Sequence, residues 1–245
     1  DRIRLRGTAG ADKGAFSAAS TLSTDGGEIA LQGRLDTRSE AYGIELRCDS
    51  FPLNSFLPAD SLGLLDLALQ AGGSGFDPLR AQTRGNIRLQ VDRAEFRGRD
   101  FGGVKLNANL EGGQLSGRLS DRDEALRLLL LISGTLTERK QEVRLTGNVF
   151  DFDLAELGIS PQKIGGSFAL EAGASASDAG SYTARIALDS IEVRTRHRTD
   201  RIRPTSLSLS SDTTATRAKL ASGDLSLAFV LSLIHISEPT RRSYI

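Results

Sequence analysis

The chain has 245 residues, 39% hydrophobic and 25% charged, with acids and bases balanced to a formal net charge of zero. Such a composition excludes a chain disordered throughout, gives enough length for a sizeable core, and leaves no global field to attract nucleic acid or anionic lipid. The 26 glycines and 5% aromatics suit many short strands with tight turns, and the lone cysteine, Cys48, excludes an intrachain disulfide.

The chain begins at Asp1 and contains no methionine. It shows neither a signal peptide nor an apolar run of about 18 residues. Its longest apolar run, Leu126–Ile132, is interrupted by Arg127. The chain therefore reads as an internal fragment.

Alternation of apolar and polar residues at period two recurs along the chain. It predicts strands at Ile3–Leu5, Ile29–Leu31 and Tyr42–Leu46, with Asp25-Gly26-Gly27 as a hairpin turn in which glycine tolerates positive φ. Pro52 breaks the alternation, and Asn54 is the expected cap of a helical turn that Pro58 stops. Further strands are expected at Leu65–Leu69, Ile87–Val91, Val104–Leu110 and Leu115–Leu119, with Gly112-Gly113 turning between the last two. Leu126–Ile132 is apolar on both faces, which predicts a central or doubly covered strand. Beyond Val143–Leu145, Asp153 is placed to cap Leu154–Leu157, with Gly158 as the stop. The series continues with Phe168–Leu170, Tyr182–Leu188, Ile191–Val193, Leu207–Leu209 and Leu225–Phe229.

These elements repeat. LALQAGGSG at Leu67–Gly75 returns as FALEAGASA at Phe168–Ala176, and Ile44–Leu53 returns as Val143–Phe152, each about 100 residues on. Gly33-Arg34-Leu35 likewise returns as Gly134-Thr135-Leu136. The expected organisation is a partial unit over 1–41, one repeat over 42–141 and a second over 142–230. Leu231–Arg241 reads LSLIHISEPTR, the codon-for-codon translation of a common sequencing-library transposon adapter, so 231–245 is expected to be a non-native tail. His235 and Tyr244 fall within it.

No reaction site emerges, and neither enzymatic activity nor a cofactor or metal is expected. Ser160-Pro-Gln-Lys163 matches S-x-x-K but lacks the S-D-N and K-T-G partners that chemistry requires. The pairs Asp121/Asp123 and Asp151/Asp153 have no calcium-loop spacing, and His197 lacks companion ligands. Arg194–Arg203 is the densest basic run, without interleaved aromatics, and reads as the charged face of a hairpin. Gly72–Gly75 lacks phosphate-loop spacing, and its second copy has lost glycines, so it reads as a turn.

Residues spread over most of 30–230 resemble the TamB family (translocation and assembly module) and the wider AsmA-like group. They include Phe51-Pro52-Leu53, Gly75-Phe76-Asp77-Pro78-Leu79, Ile87-Arg88-Leu89, Phe96-Arg97-Gly98, Leu115–Leu119, Phe152–Gly158 and Gly223–Leu227. The resemblance implies an all-β fold: an elongated, repetitive antiparallel sheet curled into an open groove (β-taco-like), with short helical turns. It further implies a periplasmic location, an inner-membrane anchor through an N-terminal helix, and phospholipid movement supporting outer-membrane assembly with an Omp85-type partner. Neither the anchor nor the family's C-terminal domain is recognisable in this chain.

Strand alternation gives that reading a physical basis. Burying a methylene is worth about 0.8 kcal/mol, so a sixteen-carbon acyl chain prefers apolar surroundings by on the order of 10 kcal/mol. The expected groove lining is Ile44, Leu46, Leu67, Leu69, Ile87, Leu89, Val91, Val104, Leu106, Val143, Leu145, Phe168, Leu170, Ile186, Leu188, Leu207 and Leu209. Phospholipid acyl chains are the expected partner and nucleic acid is not. The alternative is a structural β-solenoid or sandwich stalk, adhesin-like, in which the same residues form core. The sequence leaves both open.

Overall fold

The computed structural model describes residues 2–56, 62–177 and 180–232. Strands account for 72% of the described residues, and the seventeen strands among them join one antiparallel sheet that curls without closing into a barrel. The first half contains β1 (Arg4–Asp12), β2 (Ala15–Ser23), β3 (Glu28–Asp36), β4 (Ala41–Pro52), β5 (Leu62–Ser74), β6 (Arg84–Phe96), β7 (Arg99–Phe101), β8 (Val104–Glu111) and β9 (Gln114–Arg122). The second contains β10 (Leu126–Leu136), β11 (Gln141–Asp153), β12 (Gly165–Ala176), β13 (Tyr182–Arg194), β14 (Thr199–Ile202), β15 (Thr205–Ser211), β16 (Ala215–Ser222) and β17 (Leu225–Ser232). Each strand pairs with its neighbour in the chain, giving a plain up-and-down meander. Short β7 and β14 share a partner with the strand that follows: β7 and β8 both lie along β6, and β14 and β15 both lie along β13. At roughly 4.8 Å per strand the sheet is about 65 Å wide.

The irregularities recur with the repeat. β4 bulges between Cys48 and Phe51 before the turn into β5, and β11 pairs irregularly between Val149 and Phe152 before the turn into β12. The register shift between β5 and β6 at Asp66/Leu67 returns between β12 and β13 at Ser167/Ala169. The sheet runs unbroken across 41/42 and 141/142 through the β3–β4 and β10–β11 hairpins.

Local chemistry explains most turns. Gly112 and Gly113 both adopt positive φ in the β8–β9 hairpin, the geometry a two-residue turn needs. Asp153 Oδ1 accepts the backbone N–H of Ala155 at 2.9 Å and of Glu156 at 3.3 Å, and Gly158 follows at φ 70°.

Other expectations are corrected. The Thr24–Gly27 turn is closed by Thr24, whose Oγ1 accepts from Gly26 and Gly27, and neither glycine has positive φ. The 3₁₀ turn Leu53–Ser55 follows Pro52 without any side-chain cap, so Asn54 lies inside it; Pro58 lies outside the described residues. Gly72–Ser74 belong to β5, and only Gly75, at φ 84°, opens the connection to β6. Strand β16 is absent from the expected series; Arg217 and Lys219 alternate there with small Ala218 and with Leu220, its one large apolar residue. β10 is central but uncovered on its second face: Leu131 is 51% exposed.

Candidate functional site

Directly opposed residues in an antiparallel pair project to the same face. Following the register strand by strand therefore sorts every side chain. One row runs Leu31, Leu46, Leu69, Leu89, Leu106, Leu119 and Leu130, seven leucines on successive positions from β3 to β10. Gly147 interrupts it on β11, where a Cβ would collide with the Leu129 carbonyl oxygen, and Leu170 and Leu188 resume it. A parallel row carries Ile44, Ala71, Ile87, Ala108, Gly117, Ile132, Leu145, Ala172, Ile186, Leu207, Leu220 and Leu227. Val143 and Leu209 fall in a third row, and Cys48, Leu67, Val91, Val104, Leu128, Val149 and Phe168 border the bulged rim.

All seventeen residues expected to line the groove thus share one face. Leu31, Leu119, Leu130, Ile132, Leu220 and Leu227 stand in the same rows and were missing from that set. Period-two alternation carries the signal for Leu31, Leu119, Leu220 and Leu227, whereas Leu130 and Ile132 lie in a run apolar on both faces, which by itself assigns no face.

No second layer packs on this face among the described residues. Ile44, Ile186 and Leu207 are each 46% exposed, whereas residues inside a sandwich core fall to a few per cent. The total surface, 17057 Å², exceeds the roughly 10,600 Å² of a compact monomer of this mass. Close packing gathers at the two rims: opposite the bulges Tyr42 stacks on Phe76 at 6.3 Å and Thr83 and Ala215 are buried, and the rest lies towards the bulges. Phe51 stacks on Phe56 at 5.0 Å, Phe152 tilts against Phe168 at 6.1 Å, and Cys48, Phe51, Ala125, Leu130 and Val149 are buried. Burial raises the Cys48 thiol above its ordinary pKa, with Asp66 adding to the effect.

Asp121 is the exception on the aliphatic face, where it opposes Leu128 of β10. It is buried, and desolvation pushes its carboxyl above the usual range; the Asp123 carboxylate adds to this, and the backbone N–H groups of Asp123 and Arg122 oppose it. Asp123 itself ties the rim, accepting from Gly102 at 3.1 Å and Ala125 at 2.8 Å.

The remaining polar signals have structural partners. Asp151 bridges Arg127 and Arg194. Ser160 Oγ accepts from the Gln162 N–H in the β11–β12 connection, and Lys163 lies 3.9 Å from Asp153. His197 is exposed in the β13–β14 turn. In the basic run, Arg198 pairs with Asp200, Arg203 with Asp224, and Arg201 reaches Glu192. Among the described residues no group of three or more His, Cys, Asp or Glu is placed to hold a metal, and no helix is long and apolar enough to cross a membrane.

The opposite face is polar, and charge is distributed unevenly over it. Its three central rows carry Arg6, Arg34, Arg47, Arg88, Lys105, Arg118, Arg144, Arg185 and Lys219, all exposed, against only Glu45, Glu171 and Asp189. The next row, beside the rim opposite the bulges, contains four carboxylates, Asp12, Asp36, Glu111 and Glu142, against two cations, Arg84 and Arg217. A hollow of about 1080 Å³ spans β1–β6, bordered mainly by polar-row residues such as Ser17, Gln32, Arg34, Glu45, Gln70 and Asn86.

Comparison of the chain with protein-family models, curated proteins and solved structures returns no match.

Proposed function

We propose that the chain is a segment of a TamB-like, AsmA-like periplasmic protein that conducts phospholipid acyl chains along its aliphatic face between inner and outer membranes, in support of outer-membrane assembly. One observation carries this reading: a row of seven adjacent leucines, flanked by further aliphatic rows, lies on a sheet face over which no second layer packs among the described residues. Acyl chains laid across the strands remove their methylenes from water at every position, so movement along the rows meets no large barrier. Aliphatic side chains impose no fixed stacking geometry, and headgroups remain at the solvated rims. An Omp85-type partner would engage parts of the protein beyond this chain. The same residues serving purely as core in a stalk would need a second apolar layer, and the described residues supply none.

The test is native mass spectrometry and organic extraction of the chain after periplasmic expression, with and without residues 231–245. Co-purifying phospholipid is the expected result. Absence of lipid from several purified forms of the chain, including longer ones, would overturn the proposal.

A further inference from the structure

The polar face carries an inference independent of lipid conduction. The whole chain is neutral, yet the fold gathers nine cations and only three carboxylates into the three central rows of this face. Of those cations, only Arg144 has an ion-pair partner among the described residues, Glu142 at 3.1 Å. Arg6 on β1 and Lys219 on β16 lie close to opposite edges of the sheet, so the band extends for about 60 Å. Hydrogen-bonding amides are interleaved with it: Gln70 and Asn107 flank Arg88, while Gln90 opposes Lys105. Where the band reaches β3–β6 it borders the 1080 Å³ hollow, whose charged lining is Arg34 with Asp12, Asp36 and Glu45, so the anionic groups are placed on the band beside the hollow and not within it. Gly43 and Gly72 keep that hollow shallow-walled between Arg34 and Asn86.

We propose that this face binds an acidic polysaccharide, its carboxylates held by the unpaired arginines and lysines and its hydroxyls by the amides. Rows of cations spaced by whole strands fit an extended chain with repeating charge rather than a single phosphate. Aromatic side chains are absent from the three rows, which disfavours single-stranded nucleic acid, whose bases stack on such rings. Apolar wedges that would anchor the face in a bilayer are also scarce, Leu129 and Leu131 being the large ones.

The full chain is titrated with polygalacturonate, neutral dextran of matched length, single-stranded DNA, and vesicles containing phosphatidylglycerol. Polygalacturonate should bind and dextran should not, and affinity should fall about tenfold or more between roughly 50 and 200 mM salt if three or more contacts form. The triple variant Arg34→Ser, Arg88→Ser, Arg118→Ser should weaken binding about tenfold or more at low salt. Replacement of the same three by lysine should largely restore it. Ser substitution at Arg38 and Arg80, in the turns of the opposite rim, should leave it unchanged, with circular dichroism verifying that all variants fold. Equal binding of dextran, binding of DNA or vesicles without polygalacturonate, or a folded triple variant that binds like the parent would each overturn the proposal. Retained lipid, measured on the same preparations, reports on the aliphatic face separately.

Discussion

Leu89→Asp tests the aliphatic face at its centre. Leu89 sits between Leu69 and Leu106 in the leucine row, and both neighbours share its face. With strands about 4.8 Å apart, an acyl chain crossing them rests about four methylenes on each strand. Removing four methylenes from full burial costs about 3 kcal/mol; because the face is open, contact is one-sided and the loss is nearer 1.5 kcal/mol. A carboxylate at position 89 should therefore lower lipid retention roughly tenfold. The assay is quantitative extraction of phospholipid from the purified variant, normalised to protein, with circular dichroism and thermal unfolding to verify the fold. The control is Gln90→Asp on the opposite face, where retention should be unchanged. A folded Leu89→Asp protein that retains as much lipid as the parent would refute the placement of acyl chains on this row.

Two glycines should respond oppositely to alanine. Gly27→Ala places a Cβ against the Ser50 carbonyl oxygen in the β4 bulge and should destabilise by about 1–3 kcal/mol, read from the denaturant midpoint. Gly33→Ala finds no atom within 4 Å and should stabilise its strand by about 0.5–1 kcal/mol in the same measurement. Asp121 should make stability fall with rising pH. Its folded pKa is raised by burial, so the folded state holds its proton to higher pH than the unfolded chain; stability is fully present below the ordinary aspartate pKa and is lost through the folded value. Asp121→Asn should remove that loss, so it gains relative to the parent at neutral pH in unfolding curves and the gain vanishes in acid. Cys48, buried with a raised thiol pKa, should react with iodoacetamide far more slowly in the native protein than in denaturant, as mass spectrometry will read. Equal rates would show that the β4 bulge is open to solvent.

Strand type and location were legible because alternation at period two is a local signal. Val104–Glu111 reads apolar, polar, apolar in sequence and buries the same way in the sheet. The residues of the aliphatic face that are legible in the sequence lie in such clear runs. Leu130 and Ile132, in a run apolar on both faces, take their face only from their opposite numbers on adjacent strands. Irregular positions were misread for a related reason. The role of Gly72 and Gly73 depends on β4 and β6 beside them, and the closure of the Thr24–Gly27 turn depends on a threonine hydroxyl rather than on glycine φ.

By itself the sequence determined that the chain is a repeating series of strands with one aliphatic and one polar face, because side-chain direction in a strand alternates whatever its neighbours do. Only the tertiary structure decided that those strands form one meander instead of two stacked sheets, since pairing partners and layer contacts are made between residues far apart in the chain. The same register placed seven leucines side by side. It also converted a chain of zero net charge into a sheet whose polar face is basic along its middle and acidic at one margin: a sum over the sequence carries no position, whereas a field depends on where each charge is held.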